Sequence, residues 1–245
     1  MSNAIFAHRG ASKYAPENTM AAFKLAYELG AEGIETDVQL TKDNVPVLIH
    51  DERVKRTTNG TGYIKDLTWS QVKQLDAGSW FSKKFTGTGI ISLDEFLQWI
   101  QFKPLYLNIE LKNNRIAYKH IESIVYERVA HYQLLDRTIL STFNQNSVQR
   151  MKSFQNKIDV AFLTSKHNKN LVTCAQELGV HALHIKYRLL KPRLLEACRQ
   201  ENIAVRVYTV NKKAHMMRCF AKGCDGFFTD VPDKGIAFRK LMLDY

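Results

Sequence analysis

Apolar runs recur along this chain, and four of them stop on ionisable side chains. Ala4-Ile-Phe-Ala ends on His8-Arg9-Gly10, and Gly33-Ile leads into Glu35-Thr-Asp37. Val45-Pro-Val-Leu-Ile ends on His50-Asp51, and Tyr106-Leu-Asn-Ile leads into Glu110-Leu-Lys112. A buried strand is expected to be apolar throughout, because an uncompensated charge in a core is strongly unfavourable. Runs that stop on His, Glu, Asp or Lys therefore gather those side chains at one end of a sheet. In an α/β barrel that end carries the chemistry.

Extended and helical patterns alternate almost to the C-terminus. Strands are predicted at 4–8, 33–40, 45–49, 105–111, 137–141, 158–162, 180–185, 204–210 and 225–229. Helices are predicted from Pro16-Glu17-Asn18-Thr19 to Gly30, with Met20, Phe23 and Ala26 on the apolar face, and near 115–131, 145–154, 169–178, 192–202, 213–221 and 232–243. Pro192 and Pro232 suit first helical positions. Alternation at this spacing predicts parallel strands with right-handed crossovers. With 45–49 read as a hairpin extension of 33–40, about eight strands remain, the number in a (β/α)8 TIM barrel. An open doubly wound sheet stays as the alternative.

Residues 51–104 break this rhythm, since most strand-to-helix loops are about 2–6 residues long. Thr57-Thr-Asn-Gly-Thr-Gly62 and Thr86-Gly-Thr-Gly89 are turn clusters, and Thr68-x-x-Gln71 and Ser92-x-x-Glu95 are capping-box patterns. The second opens the helix before strand 105–111. The first part, at about 51–85, reads as a small insertion over the catalytic end, with Tyr63, Trp69, Trp80, Phe81 and Phe85 expected to form a satellite core. A single domain over 1–245 that includes this insertion fits 245 residues.

Composition narrows the picture modestly. Lys and Arg number 35 against 24 Asp and Glu, a net charge of +11, but no block of five or more basic residues occurs. The excess suits an anionic small-molecule substrate, and it supports no nucleic-acid partner by itself. No segment reaches the ~20 apolar residues of a membrane span, so no stable membrane insertion is expected. A strand beginning at Ala4 leaves no room for a signal peptide, and a cytoplasmic location is expected. Cys174, Cys198, Cys219 and Cys224 form no CxxC pair and read as reduced and structural. Whether the chain forms a homo-oligomer is left open.

Glu35 and Asp37 lie two residues apart on a strand and face the same way, as do Glu110 and Lys112. Adjacent carboxylates repel unless a cation or proton joins them, and hard oxygen ligands favour Mg²⁺ or Ca²⁺. Glu110 would supply a third carboxylate. His8 and His50 are the two of eight histidines that end an apolar strand in this motif-rich half. Such a pair can serve as acid and base across one leaving-group axis. His184 is their only rival and reads as structural. Arg9 and Lys112 are candidates for holding phosphoryl oxygens, Arg as a fork and Lys as a point charge. On an ideal strand Arg9 faces away from His8, so its role requires the chain to turn at Gly10.

His8-Arg9-Gly10, Pro16-Glu17-Asn18-Thr19, Glu35-Thr-Asp37, His50-Asp51 and Glu110-Leu-Lys112 together resemble the ordered signature of the glycerophosphodiester phosphodiesterases. Tyr208-Thr-Val-Asn211 and Asp225-Gly226-x-x-Thr229-Asp230-x-Pro232 resemble its C-terminal blocks. The resemblance implies a (β/α)8 barrel with a small insertion after the second barrel strand. It implies one divalent cation, Mg²⁺ or Ca²⁺, on Glu35, Asp37 and Glu110, and His8 and His50 as the acid/base pair. Glu17 and Asn18 would support the first-strand turn, and Arg9, Lys112 and Tyr208 would contact substrate. Tyr208 replaces a common tryptophan and Ile91 a frequent proline, departures outside the catalytic set.

The expected reaction is metal-dependent hydrolysis of glycerophosphodiesters to sn-glycerol 3-phosphate and an alcohol, a step of lipid and glycerol metabolism. The rivals are a lysophospholipase-D-like activity, which needs an apolar groove, and a non-catalytic barrel that binds phosphorylated ligands.

Overall fold

The computed structural model describes residues 3–243. Among these residues nine strands and nine α-helices follow in chain order: β1 Ala4–His8, α1 Met20–Glu28, β2 Gly33–Leu40, β3 Pro46–Leu48, α2 Trp69–Val72, α3 Leu93–Ile100, β4 Tyr106–Leu111, α4 Ile121–His131, β5 Thr138–Thr142, α5 Gln145–Arg150, β6 Asp159–Thr164, α6 Leu171–Leu178, β7 Ala182–Lys186, α7 Pro192–Gln200, β8 Ala204–Tyr208, α8 Lys213–Lys222, β9 Gly226–Thr229 and α9 Pro232–Leu243. Eight strands are parallel, and β1 pairs with both β2 and β9, so the sheet closes as a (β/α)8 barrel. The open-sheet alternative is excluded by that pairing. β3 runs antiparallel to β2, as the hairpin pattern predicts.

Register carries the motifs to one place. His8 pairs with Glu35 across β1 and β2, and Asp37 pairs with Glu110 across β2 and β4. All eight positions of β2 are buried, because the helices cover one face and the barrel interior the other. Phe23 of α1 and Phe96 of α3 meet at 4.6 Å between ring centroids, within the main core under the helices. Among the described residues no helix is long and apolar enough to cross a membrane. All four cysteines are free, and Cys198, Cys219 and Cys224 are buried.

Three expectations need correction. The helix expected from 115 starts at Ile121, after His120 in a left-handed conformation (φ 62°). The stretch before it is held by tertiary contacts, with the buried Tyr118 hydroxyl donating to Gln39 at 2.8 Å. The strand expected to 210 ends at Tyr208. The satellite core under the insertion is aliphatic, built on Val47, Ile49, Val54, Ile64, Val72, Ala77 and Ile90, and of the five aromatics only Trp69 packs against it. Trp80, Phe81 and Phe85 instead pack edge-on against one another. The Trp80 indole N–H donates to the Ala77 carbonyl oxygen at 2.8 Å, and its ring stays exposed outside the aliphatic cluster.

The closing seam of the barrel is tight. A Cβ on Gly226 would lie 2.6 Å from the Ala4 carbonyl oxygen, a backbone atom that cannot move aside without opening β1 from β9. Gly226→Ala is therefore expected to destabilise the protein by about 1–3 kcal/mol, the usual cost of overpacking. Chemical denaturation checks this, and an unchanged midpoint would show that the seam is pliable.

Candidate functional site

β1 ends at His8, and the chain turns at once. Arg9 (φ 58°) and Gly10 (φ 82°) are both left-handed, and a Cβ on Gly10 would sit 2.7 Å from the Ala22 backbone. Only glycine fits there, and the turn swings Arg9 back over the strand ends. Its guanidinium donates to Glu17 at 2.9 Å and lies 3.2 Å from Asp37, while its backbone N–H donates to Glu35 at 2.9 Å. Asn18, also left-handed, donates to Asp37 at 2.9 Å and accepts from the Thr36 hydroxyl at 2.8 Å. Thr19 caps α1 by accepting from the Ala22 N–H.

Glu35, Asp37 and Glu110 offer carboxylate oxygens within 4.8 Å of one another. Burial pushes the Glu35 carboxyl up to about 8, and Asp37 beside it pushes the same way. Burial also opposes ionisation of Asp37, but Arg9, Lys112 and His50 outweigh it and hold that carboxyl well below the usual range. Lys112 donates to Glu110 at 2.8 Å and lies 3.6 Å from Asp37, and these two keep its ammonium charged against the cost of burial. The Asp37 Oδ1 atom is buried without a hydrogen-bond donor. An orphaned carboxylate oxygen beside a carboxyl that cannot readily ionise fits a hard divalent cation held by these three residues.

Each histidine is backed by a carboxylate through Nδ1, which leaves Nε2 as the other ring atom. His8 Nδ1 lies 2.7 Å from Asp230, which also accepts from the hydroxyl of Ser12 at 3.1 Å and from the Asn211 amide. His50 Nδ1 lies 2.6 Å from Asp51, which is gripped by Arg56 at 2.6 and 3.1 Å. Arg56 reaches on to Glu17 at 2.7 and 2.9 Å, tying the insertion to the β1 turn. Burial works against a charged His8, but Glu35 and Asp230 prevail and raise its pKa. Burial likewise opposes the Asp51 carboxylate, yet Arg56 and His50 hold it at about 2.

All the residues singled out as candidate ligands, acid/base groups and phosphate contacts converge here. A cavity of about 350 Å³ is lined by His8, Arg9, Glu35, His50, Glu110 and Lys112 on one side and by Phe143, Leu163, Lys186 and Tyr208 on the other. Tyr208 packs edge-on against Phe143 at 6.0 Å, and its hydroxyl is buried without a partner. His184 is fully buried in the barrel beside Arg206, with its pKa driven well below the usual value by burial and that guanidinium, as a structural histidine would be. Asp230, Asp51, Arg56, Asn211 and Ser12 complete the site beyond the residues that the sequence singles out. Asp51 and Asp230 stood inside quoted motifs, and the adjacency of His50 and Asp51 was a usable signal. Arg56 carried none.

A closed parallel barrel with three carboxylates, two braced histidines and two cations at its strand ends has the groups that hydrolysis of an anionic ester requires. A sequence profile of the glycerophosphoryl diester phosphodiesterase family matches residues 8–234. A glycerophosphodiester phosphodiesterase from Caldanaerobacter subterraneus is 40% identical over 233 residues, which cover 95% of this chain and 96% of the relative. The crystal structure of a glycerophosphodiester phosphodiesterase from Agrobacterium tumefaciens matches with a TM-score of 0.85 at 30% identity, over 96% of this chain and 99% of that one. An Oleispira antarctica phosphodiesterase in complex with the product sn-glycerol-3-phosphate matches with a TM-score of 0.85 at 28% identity, over 98% of this chain and 97% of that one. The chain belongs to the glycerophosphoryl diester phosphodiesterase family. It is an enzyme of that class, a hydrolase of glycerophosphodiesters.

The raised Glu35 pKa has a consequence for stability. Below about pH 4.5 both the native and the unfolded chain hold the Glu35 proton; between there and about 8 only the native chain holds it. The contribution of this group to native stability is therefore lost as pH rises through that window. Glu35→Gln keeps the neutral form at every pH. Without metal ions, the variant is expected to melt above the wild type at about pH 8, by a wider margin than at about pH 5. Adding a divalent cation should raise the melting temperature of the wild type and not of the variant. Equal margins at both pH values would show that Glu35 is not held protonated.

Proposed function

We propose that the chain cleaves glycerophosphodiesters to sn-glycerol 3-phosphate and an alcohol by proton transfer through His8 and His50, with Glu35, Asp37 and Glu110 as ligands of a divalent cation. The observation that carries this reading is the paired support of the histidines: each Nδ1 is fixed by its own carboxylate, and both rings line the cavity that holds the acidic cluster. A carboxylate on Nδ1 sets the tautomer and ring orientation and leaves Nε2 to exchange a proton with substrate. The cation, when bound, would neutralise charge developing on the phosphate oxygens.

The remaining residues bind and position. Lys112, and the Arg9 face that borders the cavity, offer positive charge to the phosphoryl oxygens, while Glu17 and Asp37 hold the Arg9 fork in place. Asn18 supports Asp37 from behind. Tyr208 forms part of the substrate wall. One histidine removes the proton from the nucleophile and the other protonates the departing alkoxide; the product complex of the Oleispira relative supports glycerol phosphate as the retained product. Residues 51–85 belong to the same single domain in this reading, because Arg56 connects them to Glu17 of the β1 turn. A single cooperative unfolding transition over the whole chain would be its signature.

Release of glycerol 3-phosphate from a panel of diesters tests the proposal. Excess EDTA is expected to abolish turnover, and full activity in chelator would remove the metal from the mechanism. His8→Ala and His50→Ala should each lower kcat by about 10²–10⁴-fold, the usual worth of acid/base groups. Because the two act as a unit, the double variant should lose far less than the product of the single losses. A diester with an activated leaving group should partly rescue whichever variant lacks the acid. Near-normal kcat in either single variant would make that histidine structural.

A further inference from the structure

The net charge of +11 is unevenly placed on the fold. On the first half of the barrel the cations at the site are matched: Arg9 by Glu17 and Asp37, Lys112 by Glu110, and Arg56 by Asp51 and Glu17. The loops that follow β6, β7 and β8 border the other wall of the same cavity. Residues 165–170, 186–193 and 209–214 contain no Asp or Glu. Besides Lys191 and Arg193 at the start of α7, they carry Lys166, Lys169, Lys186, Arg188, Lys212 and Lys213, all exposed. Among the described residues none of these six is in a salt bridge.

Helix ends sharpen the asymmetry. The N-termini of α6, α7 and α8 point to this rim, and a helix N-terminus is stabilised by acidic residues and destabilised by basic ones, by about 0.3–1 kcal/mol each. Here no acidic residue occupies the first turn of any of the three, and Lys212 and Lys213 stand at the start of α8. Elsewhere α3 opens with Asp94 and Glu95, α4 with Glu122 and α9 with Asp233, while α1 and α5 also lack an acidic first turn. The rim thus adds side-chain charge to helix-end charge of the same sign, at some cost in stability. The Arg188 guanidinium donates to the Ser165 carbonyl oxygen at 2.6 Å and ties two of the loops together. Lys186 brings the rim into the cavity, beside Tyr208 in the β7–β8 register.

We propose that this cationic rim selects glycerophosphodiesters whose leaving alcohol carries a further phosphate. The inference rests on the phosphodiesterase reading above and extends it to the second half of the substrate. With the phosphodiester at the carboxylate side, a second anionic group lies against Lys186 and the loops beyond it, while a quaternary or primary ammonium head group meets unmatched positive charge. A membrane surface fits less well. Among the described residues the exposed large hydrophobics are Tyr27, Trp80, Phe102, Leu241 and Met242, and none lies on these loops, whereas interfacial docking needs apolar anchors beside the charge.

The test compares glycerophosphocholine, glycerophosphoglycerol and glycerophosphoglycerol bearing a terminal phosphate. kcat/KM is measured at low and moderate salt, and affinity is measured by calorimetry on His50→Ala protein, which needs no turnover. The phosphorylated diester is expected to exceed glycerophosphoglycerol by about tenfold or more at low salt, with glycerophosphocholine lowest and the margins shrinking as salt rises. Lys186→Glu should bring the ratio between the first two towards one, and so should Lys212→Glu combined with Lys213→Glu if the first variant folds poorly. Each ratio is taken within one protein, so a loss of folded material cancels. A wild-type ratio near one, or one unmoved by either charge reversal, overturns the proposal. So does a reversal that weakens binding to phosphatidylglycerol vesicles while the ratio stays put, which would make the rim a membrane-docking face. Absence of turnover on every diester would count against the phosphodiesterase reading alone, since the affinity ratio still decides this one.

Discussion

Three carboxylates crowded at the buried ends of β2 and β4 set the terms for the rest of this molecule. Glu35, Asp37 and Glu110 cannot all ionise in a desolvated space without opposite charge close by. Arg9 and Lys112 supply part of it from the protein, and the left-handed turn at Arg9-Gly10 exists to bring Arg9 there. What those two cations leave uncompensated appears as the raised Glu35 pKa and the orphaned Asp37 oxygen. The local fold of the first strand turn is therefore a response to electrostatics one strand away. Truncating either partner of such a buried set would expose the other to the full desolvation penalty.

From that centre the charge balance runs outward without a break. Asp37 engages Arg9, Arg9 engages Glu17, Glu17 engages Arg56, and Arg56 engages Asp51, which orients His50. The insertion thereby acts as a brace for one of the two histidines. His8 is braced from the opposite side of the chain, by Asp230 at the end of the last barrel strand. Closing the barrel between β1 and β9 is what puts residues 8 and 230 next to each other. Stability of the seam and orientation of His8 are consequently one structural problem, and a substitution that opens the seam disturbs the ring as well.

Much of this was legible in the sequence because strand chemistry has a short period. His8, Glu35, Asp37, Glu110 and Lys112 end apolar runs, alternation settles which of them share a face, and parallel register then sets them side by side. What stayed hidden depends on contacts distant in sequence. The approach of Asp230 to His8 spans nearly the whole chain, and Arg56 sits in a polar loop where one arginine looks like any other. The start of α4 at Ile121 reflects the anchoring of Tyr118 on Gln39, which no local propensity reports. The insertion's aromatics misled because large rings usually mark a core, whereas here Tyr63 and Phe85 pack under the surface cations Arg53 and Lys84.

The distribution of basic residues shows the same limit from another side. Along the sequence they are scattered, and net charge alone decides little. The barrel topology returns every strand to the same end, so loops separated by about twenty residues in sequence become neighbours on one rim. Basic residues from loops apart in the sequence are thereby gathered on the cavity wall away from the carboxylates, a wall that suits further phosphate, while the three carboxylates suit a cation. A neutral substrate would make little use of such a division, and a polyanionic one would use both halves. Since salt screens exposed charges within about 10 Å at 0.1 M and buried ones far less, the two walls should answer differently to ionic strength: the carboxylate side hardly at all, and the rim strongly.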